Sequence, residues 1–266
     1  MNGPCLITGA KGLLGSEFAR ALDSKSIHAL DKSQLDVTNR DSIWRVFERI
    51  QPRWVIHTAA YTQVDAAETN REAAHRLNAE GVKTLVEACR EYQSRLVHFS
   101  TDQVFDGRKD SPYVETDETH PSNYYAQTKL ESEREALALA DALVLRVQWL
   151  YGAARPRFTH LETRSEFSAV CDQVGAPTWT RDVVRLTLQL LERNKGGLYH
   201  VSYDDYASWL EIFELVKAKL GYSVNIQSVT TAELNLPAGR PLNARLSNEK
   251  LKKALGVSSV GSWETS

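Results

Sequence analysis

Short apolar segments alternate with longer helical patterns along the first part of the chain, and this alternation constrains the fold more than any other feature. The apolar segments are rich in Val, Ile and Leu and do not alternate with polar residues, which is typical of parallel strands covered on both faces. They read CLITGA from residue 5, SIHALD from 26, WVIHTAA from 54, RLVHFSTD from 95 and ALVLRVQWLYG from 142. Strands separated by helices predict right-handed crossovers and an α/β fold with a doubly wound parallel sheet.

The regularity falls after residue 152. The stretch GAARPRFTHLETRSEF is polar and irregular, DVVRLTLQLLERN and SWLEIFELVKAKLG follow helical patterns, and GLYHVS has the character of a further strand. We therefore predict a dinucleotide-binding domain at residues 1–152 and a smaller, mixed substrate-binding lobe at residues 153–266 that is interleaved with the first. The chain stops at SVGSWETS, where a further helix is expected to begin, so we expect the last helix of the lobe to be missing.

Charge and cysteine content exclude several classes of protein. The formal net charge is −2 and the basic residues are scattered, which argues against a nucleic-acid or anionic-membrane partner. The N-terminus has no signal-peptide pattern and no apolar stretch approaches the length of a membrane span. Three cysteines, Cys5, Cys89 and Cys171, are an odd number without short spacing, so neither a disulfide framework nor a metal site is expected. These features predict a cytoplasmic protein with reduced thiols.

A glycine-rich motif follows the first predicted strand and opens the first predicted helix. The motif reads TGAKGLLG and contains Gly9, Gly12 and Gly15. Glycines at this place allow a tight turn and let a pyrophosphate approach the backbone N–H groups at a helix N-terminus. The spacing differs from the G-x-G-x-x-G fingerprint, and a turn that serves only helix–strand packing is the alternative.

An acidic residue ends the second predicted strand. Asp31 lies about 20 residues beyond the glycines, where a carboxylate can bind the adenosine ribose hydroxyls and favour NAD. Lys11 and Lys32 could instead reach a 2′-phosphate, so the choice between NADH and NADPH stays open. Asp36 is a further candidate near the adenine, and the alternative for Asp31 is a turn residue at a strand end.

Tyr125 and Lys129 form a Y-x-x-x-K pair in the segment NYYAQTKLESEREAL. On a helix these positions share one face, and an ammonium beside a phenol lowers the phenol pKa, which suits proton transfer near neutral pH. An ordinary surface pair is the alternative.

The fourth predicted strand ends in Thr101 and Asp102, and strand ends of this kind deliver functional groups in open α/β sheets.

Taken together, these motifs resemble the dTDP-4-dehydrorhamnose reductase family of extended short-chain dehydrogenases/reductases. The resemblance runs from residue 4 to about residue 256 and also extends to the related regulatory β subunit of methionine adenosyltransferase. It is carried by the segments HTAAYTQVDAAE, STDQVFDG, ETDETHPSNYYAQTKLESE, VLRVQWLYG, DQVGAPT, GLYHVS and RPLNARLSNEKL. It implies a Rossmann-type sheet with a substrate lobe, and it is compatible with a homodimer.

The resemblance implies reduction, by NADPH or NADH, of the 4-keto group of a nucleotide-linked 4-keto-6-deoxysugar, with dTDP-4-dehydrorhamnose giving dTDP-L-rhamnose as the expected case. In it Tyr125 donates a proton, Thr101 orients the carbonyl and Lys129 binds the nicotinamide ribose. The implied cofactor residues, besides Tyr125 and Lys129, are Gly9, Gly12, Leu13, Leu14, Gly15, Asp31, Asp36, Val37, Ala59, Ala60 and Tyr61. The implied substrate residues are Val64, Thr101, Asp102, Trp149, Arg240 and Asn243, of which the last two bind phosphates or brace the lobe.

Two departures from the family pattern bear on the sugar pocket. Gln103 stands where the family usually has Tyr, and YGAARPRFTH replaces a usual GNNF-containing segment in a run that is several residues short. Both predict an altered sugar pocket.

A sugar-nucleotide dehydratase or epimerase is a weaker reading, because Gln103 cannot supply the second carboxylate of an acid–base pair. A non-catalytic dinucleotide-binding regulatory subunit is the other alternative.

Overall fold

The computed structural model describes residues 2–22, 25–154, 158 and 161–265. Its centre is a six-stranded, fully parallel sheet in the order β2-β1-β3-β4-β5-β10. Its strands are β1 (Cys5–Thr8), β2 (Ile27–Leu30), β3 (Trp54–His57), β4 (Arg95–Thr101), β5 (Leu143–Val147) and β10 (Gly197–Val201). Chain order reverses between β1 and β3, which leaves a crevice at the carboxyl ends of these strands. The predicted fold class is confirmed.

Helices cover both faces of this sheet. They are α1 (Leu13–Ala21), α2 (Arg40–Ile50), α3 (Val64–Thr69), α4 (Arg71–His75), α5 (Gly81–Glu91), α6 (Tyr124–Leu137), α7 (Thr180–Glu192), α8 (Trp209–Leu220) and α9 (Glu249–Leu255). One core joins the strands to α1, α7 and α9, and the opposite core joins them to α2 and α5. Successive strand residues point to opposite faces of the sheet. Ile7 therefore packs in the core with α1, α7 and α9, and Leu6 packs in the core with α2 and α5. This two-sided burial explains the continuous apolar runs.

The rest of the chain adds short two-stranded units. Strand β7 (Glu166–Val170) pairs in parallel with β12 (Asn225–Val229), and α8 packs on both. Strands β6 (Leu150–Tyr151) and β9 (Thr178–Trp179) are parallel, and β8 (Val174–Gly175) and β11 (Ala207–Ser208) are antiparallel. Strand β10 belongs to the large sheet although it follows residue 152. The division into two domains at that residue, and their interleaving, stay predictions.

The shortened segment after residue 152 is described only in part. Residues 155–157, 159 and 160, which belong to that segment, lie outside the described residues. Near the end, Trp263–Thr265 form one 3₁₀ turn.

Over the described ranges, no helix is long and apolar enough to span a membrane, and no His, Cys, Asp and Glu side chains cluster as a metal site. Cys5, Cys89 and Cys171 are free thiols, and burial raises the pKa of Cys5 to about 12.

Candidate active site

A cleft of about 590 Å³ opens at the carboxyl ends of β1, β3, β4 and β5. It lies at the point where strand order reverses, the usual ligand position in open α/β sheets. The predicted site residues on its wall are Gly12, Leu13, Leu14, Ala59, Ala60, Val64, Thr101, Asp102, Tyr125, Lys129 and Trp149. Its other lining residues are His57, Thr58, Thr62, Phe99, Ser100, Gln103, Val147, Gln148 and Leu150. The structure therefore brings most of the predicted residues to one place.

The glycine turn between β1 and α1 packs against the end of β3. Gly9 has φ +67°, and a Cβ there would lie 2.7 Å from the backbone N of Ala59. A Cβ on Gly15 would collide with the Gly9 carbonyl and lie 2.6 Å from Thr58 Oγ1. Gly9 and Gly15 thus let the turn and helix α1 sit close to β3, while Gly12, the N-cap of α1, faces the cleft. The space left by these glycines fits a pyrophosphate at a helix N-terminus.

Gly15→Ala is expected to lower the free energy of unfolding by about 1–3 kcal/mol, because the added methyl group must displace backbone. Gly12→Ala is the matched control, since its Cβ would meet the Gly9 carbonyl at 3.1 Å and otherwise face the cleft. We expect Gly12→Ala to keep most of the stability and to weaken cofactor binding. Urea unfolding and cofactor titration of both variants measure this, and equal stability losses would contradict the packing role of Gly15.

Asp31 lies beside the glycine turn at the end of β2. Its carboxylate forms an ion pair with Lys11 and accepts a hydrogen bond from the backbone N of Ser33 at 2.8 Å. Hydrogen bonds from Lys11 and Ser33 hold the pKa of Asp31 well below its usual range. Three other predicted cofactor residues, Asp36, Val37 and Tyr61, also lie off the cleft wall: Asp36 caps its own loop through the Thr38 N–H at 2.9 Å. The cofactor roles of all four stay predictions.

Tyr125 and Lys129 lie one turn apart in α6. The helix begins after Asn123, whose side chain accepts a hydrogen bond from the backbone N of Ala126 at 2.8 Å. Tyr125 is 8% and Lys129 4% exposed, so the pair is buried on the cleft wall and is not an ordinary surface pair.

Three buried polar contacts fix the rotation of α6 against its neighbours, and thereby the positions of Tyr125 and Lys129. They are Asn78 Nδ2 to Thr128 Oγ1 at 3.0 Å, His98 Nε2 to Ser132 Oγ at 3.0 Å, and a bidentate pair of Arg146 with Glu133 at 2.9 and 2.6 Å. Burial of unpaired polar groups is unfavourable, so these contacts disfavour other rotations of the helix.

Asn78 lies in a feature that sequence reasoning missed. The pattern over residues 70–92 predicts one continuous helix, whereas Arg76–Glu80 forms a π turn between α4 and α5. Such turns occur often at functional sites. The Asn78 side chain accepts from Tyr61 N at 2.8 Å and donates to Tyr61 O at 3.1 Å, in addition to its bond with Thr128. It therefore ties the loop after β3 to α6.

Burial shifts the protonation of the groups around Tyr125. It raises the pKa of Tyr125, as does the neighbouring charge of Asp102, and these outweigh the opposing effect of a hydrogen-bond contact with the Thr101 hydroxyl. This differs from the sequence-based expectation that Lys129 lowers the Tyr125 pKa. Burial also raises the pKa of Asp102 to about 7 and lowers that of Lys129 to about 8. Tyr125 consequently holds its proton at neutral pH.

A buried polar row runs across the sheet under the cleft. In the parallel register Thr8 pairs with His57, and His57 with His98. Thr8 Oγ1 is hydrogen-bonded to His57 Nδ1 at 2.7 Å, and the two imidazoles stack at 5.5 Å. Burial lowers the pKa of His57 to about 3, so this ring is neutral at physiological pH. The only sequence signal for the row was a histidine inside each of two apolar strands.

Trp149 forms part of the cleft wall in an unusual conformation. Its φ is +44°, in the left-handed region that non-glycine residues seldom adopt. Its ring stacks on Trp209 of α8 with a centroid distance of 4.1 Å. Local strain of this kind persists only when its surroundings hold it, and here the stack with α8 does so.

Comparisons with known proteins decide the family. The family model described as RmlD substrate binding domain matches residues 3–266. A dTDP-4-dehydrorhamnose reductase of Aggregatibacter actinomycetemcomitans is 36% identical over 95% of this chain and 93% of its own length. The chain belongs to the dTDP-4-dehydrorhamnose reductase family. The resemblance seen in the sequence is confirmed.

Two further relatives show the range of the dTDP-4-dehydrorhamnose reductase family. The crystal structure of such a reductase from Bacillus anthracis, in complex with NADP, matches with a TM-score of 0.94 and 32% identity and covers 100% of this chain and 97% of that one. A probable dTDP-4,6-dihydroxy-2-methyloxan-3-one 4-ketoreductase of Streptomyces antibioticus is 36% identical over 98% of this chain and 92% of its own length. Relatives of equal identity therefore carry names with different sugars.

Gln103, which stands where this family usually has Tyr, is held in place by a hydrogen bond to the helix cap of α6. Its Oε1 accepts a hydrogen bond at 2.8 Å from Nδ2 of Asn123, which also donates to the Gly239 carbonyl at 2.9 Å. Gln103 thus links the cleft wall to the helix cap of α6 and to the loop at residue 239.

The two remaining predicted substrate residues, Arg240 and Asn243, lie off the cleft wall. Arg240 pairs with Asp65 of α3 at 2.9 Å, and Asn243 donates to the carbonyls of Lys109 and Ser111 at 2.5 and 2.9 Å. These contacts brace the C-terminal loops. A role in phosphate binding stays a prediction for both.

Proposed function

We propose that this chain reduces the 4-keto group of a dTDP-linked 4-keto-6-deoxysugar with NADPH or NADH, converting dTDP-4-dehydrorhamnose to dTDP-L-rhamnose. The observation that carries the proposal is the buried set of Thr101, Tyr125 and Lys129 on one wall of the cleft at the strand-order reversal. Family membership supports both the reaction and the nucleotide-sugar substrate.

The cofactor residues follow from the glycine turn. The backbone around Gly12, Leu13 and Leu14 would hold the pyrophosphate, and Ala59 and Ala60 would flank the nucleotide on the opposite wall. A reduced nicotinamide held there would supply the hydride for the ketone carbon. The chain's own residues bind and orient both reactants and handle the proton.

Tyr125 is the proton donor of the proposal. Negative charge develops on the ketone oxygen during reduction, and a phenol that keeps its proton at neutral pH can deliver it there. Thr101 would hydrogen-bond the same oxygen and orient the carbonyl. Lys129, charged below about pH 8, would bind the nicotinamide ribose and help place the ring. Gln103 cannot act as a carboxylate base, which opposes a dehydratase reaction at this site.

The deciding assay follows absorbance of the reduced cofactor. The protein is mixed with NADPH or NADH and, in parallel, with dTDP-4-dehydrorhamnose and dTDP-4-keto-6-deoxyglucose, and the product sugar is identified by NMR. We expect fastest oxidation with dTDP-4-dehydrorhamnose. Tight cofactor binding without oxidation on either sugar nucleotide would contradict the reductase and favour a non-catalytic dinucleotide-binding protein.

Lys129→Met is expected to raise the Kd for NADPH about tenfold to a hundredfold, because it removes a charged hydrogen bond worth about 1.5–3 kcal/mol. In the unmodified protein, NADPH binding should weaken as pH rises through about 8, where Lys129 loses its proton. Fluorescence titration at several pH values measures both effects. Lys83→Met, at an exposed position on α5, is the control and should bind NADPH normally.

The proposal also covers the compartment and the oligomeric state of the protein. Free thiols that include the buried Cys5 and Cys89 are consistent with a reducing compartment, and we place the enzyme in the cytoplasm. The homodimer compatible with the family resemblance is tested by sedimentation of the purified protein.

A further inference from the structure

The hydroxyl group of Thr101 has one proton, and that proton is already engaged. Thr101 Oγ1 donates to Asp102 Oδ1 at 2.9 Å and accepts from the backbone N of Gln103 at 3.3 Å. A hydroxyl group donates one hydrogen bond at a time. While Asp102 is ionised, the Thr101 proton therefore points to the carboxylate and is not available to a ketone oxygen in the cleft.

Asp102 is placed so that its protonation can change near neutral pH. The residue is 3% exposed, lines the cleft, and its Oδ2 is buried without a hydrogen-bond partner among the described residues. The titratable groups that share the cleft wall with it are Tyr125 and Lys129 of α6 and His57 of β3, and His98 of β4 stacks on His57. Burial raises the pKa of the Asp102 carboxyl to about 7, whereas both imidazoles are held neutral.

We propose that Asp102 is a positioning residue that sets the donor direction of Thr101, and that reduction proceeds with Asp102 protonated. The proposal rests on the reductase function given above. A neutral carboxyl group can donate its own proton to Thr101 Oγ1, and Thr101 is then free to donate to the ketone oxygen.

The charge of Asp102 opposes reduction in two further ways. A carboxylate beside the cleft repels the negative charge that develops on the ketone oxygen. It also raises the pKa of Tyr125 and makes the phenol a weaker acid. Protonation of Asp102 removes both effects. The donor direction of Thr101, the charge on the ketone oxygen and the acidity of Tyr125 therefore all favour reduction with Asp102 protonated.

The test is the pH dependence of kcat and kcat/KM between pH 5.5 and 9, with NADPH and dTDP-4-dehydrorhamnose. We expect the unmodified protein to lose activity about tenfold per pH unit above the Asp102 ionisation. In Asp102→Asn the amide stays neutral and can donate to Thr101, so the decline near pH 7 should vanish and leave only the decline near pH 8 from Lys129. Asp41→Asn, at an exposed position on α2, should keep the unmodified profile.

A second measurement does not depend on turnover. Isotope-edited infrared spectra of the NADPH-bound protein should contain a carboxylic-acid band that titrates near pH 7 and is absent from Asp102→Asn. A kcat profile without the decline near pH 7, or the same decline in Asp102→Asn, would overturn the proposal. Absence of turnover on every 4-keto sugar would instead refute the reductase function, while the infrared titration would still report on Asp102.

Discussion

Tyr125→Phe is expected to lower kcat about 10²–10⁴-fold, the usual contribution of a positioned general acid. The change removes one oxygen from a side chain that is 8% exposed and keeps the ring that packs beside Ala67 and Ala74. Thr101 and Lys129 remain in place, so NADPH should bind with nearly unchanged Kd. The measurements are kcat for NADPH oxidation and the Kd from fluorescence titration.

The adjacent Tyr124→Phe is the matched control. Tyr124 lies partly exposed on the same helix turn, and Arg71 lies over its ring at 4.9 Å, a contact that a Phe ring preserves. We expect kcat within a few-fold of the unmodified protein. Full turnover in Tyr125→Phe would rule out the phenol as proton donor, and equal losses in both variants would indicate a general disturbance of α6.

Glu133→Gln is expected to lower the free energy of unfolding by about 3–5 kcal/mol, because it leaves the Arg146 guanidinium buried without its counter-charge. The two side chains are 4% and 3% exposed, and Arg146 also lies over the Phe105 ring at 4.8 Å. Urea unfolding measures the loss. Glu87→Gln is the matched control, since it breaks an exposed pair with Arg40 and should change stability by less than about 1 kcal/mol.

The same change has a functional readout. The Glu133 charge raises the pKa of Lys129 against the effect of burial. Glu133→Gln should therefore move the alkaline loss of NADPH binding to lower pH. The double variant Arg146→Met with Glu133→Leu should be more stable than Glu133→Gln. A double variant as unstable as the single one would show that packing, and not the unpaired charge, causes the loss.

The large sheet could be predicted from the sequence because its physical cause is local. Strands covered on both faces are apolar at most positions, so β1, β3 and β5 appear directly as runs dominated by Val, Ile and Leu. The parallel pair of β7 and β12 gave no such signal. Glu166–Val170 is half exposed, and its partner lies more than fifty residues away, so its pairing depends on tertiary contacts.

The candidate site was predictable where chemistry requires a particular residue at a particular spacing. Tyr125 and Lys129 follow from the helical repeat, and Thr101 from its position at a strand end. The π turn at Arg76–Glu80 was not predictable, because the side-chain bonds of Asn78 join segments that are distant in sequence. The raised pKa of Tyr125 was missed because it is set by burial and by the charge of Asp102, neither of which the sequence spacing measures.

The stack of Trp149 on Trp209 has a consequence for how such enzymes diversify. The groups proposed for proton transfer lie on β4 and α6, whereas this part of the cleft wall is supported by α8 of the C-terminal region. Substitutions in α8 can thus reshape the wall on which we propose the sugar lies, while the groups proposed for proton transfer keep their places. On this proposal, selection for a new sugar and retention of the chemistry would act on separate elements, which fits relatives of equal identity that carry names with different sugars.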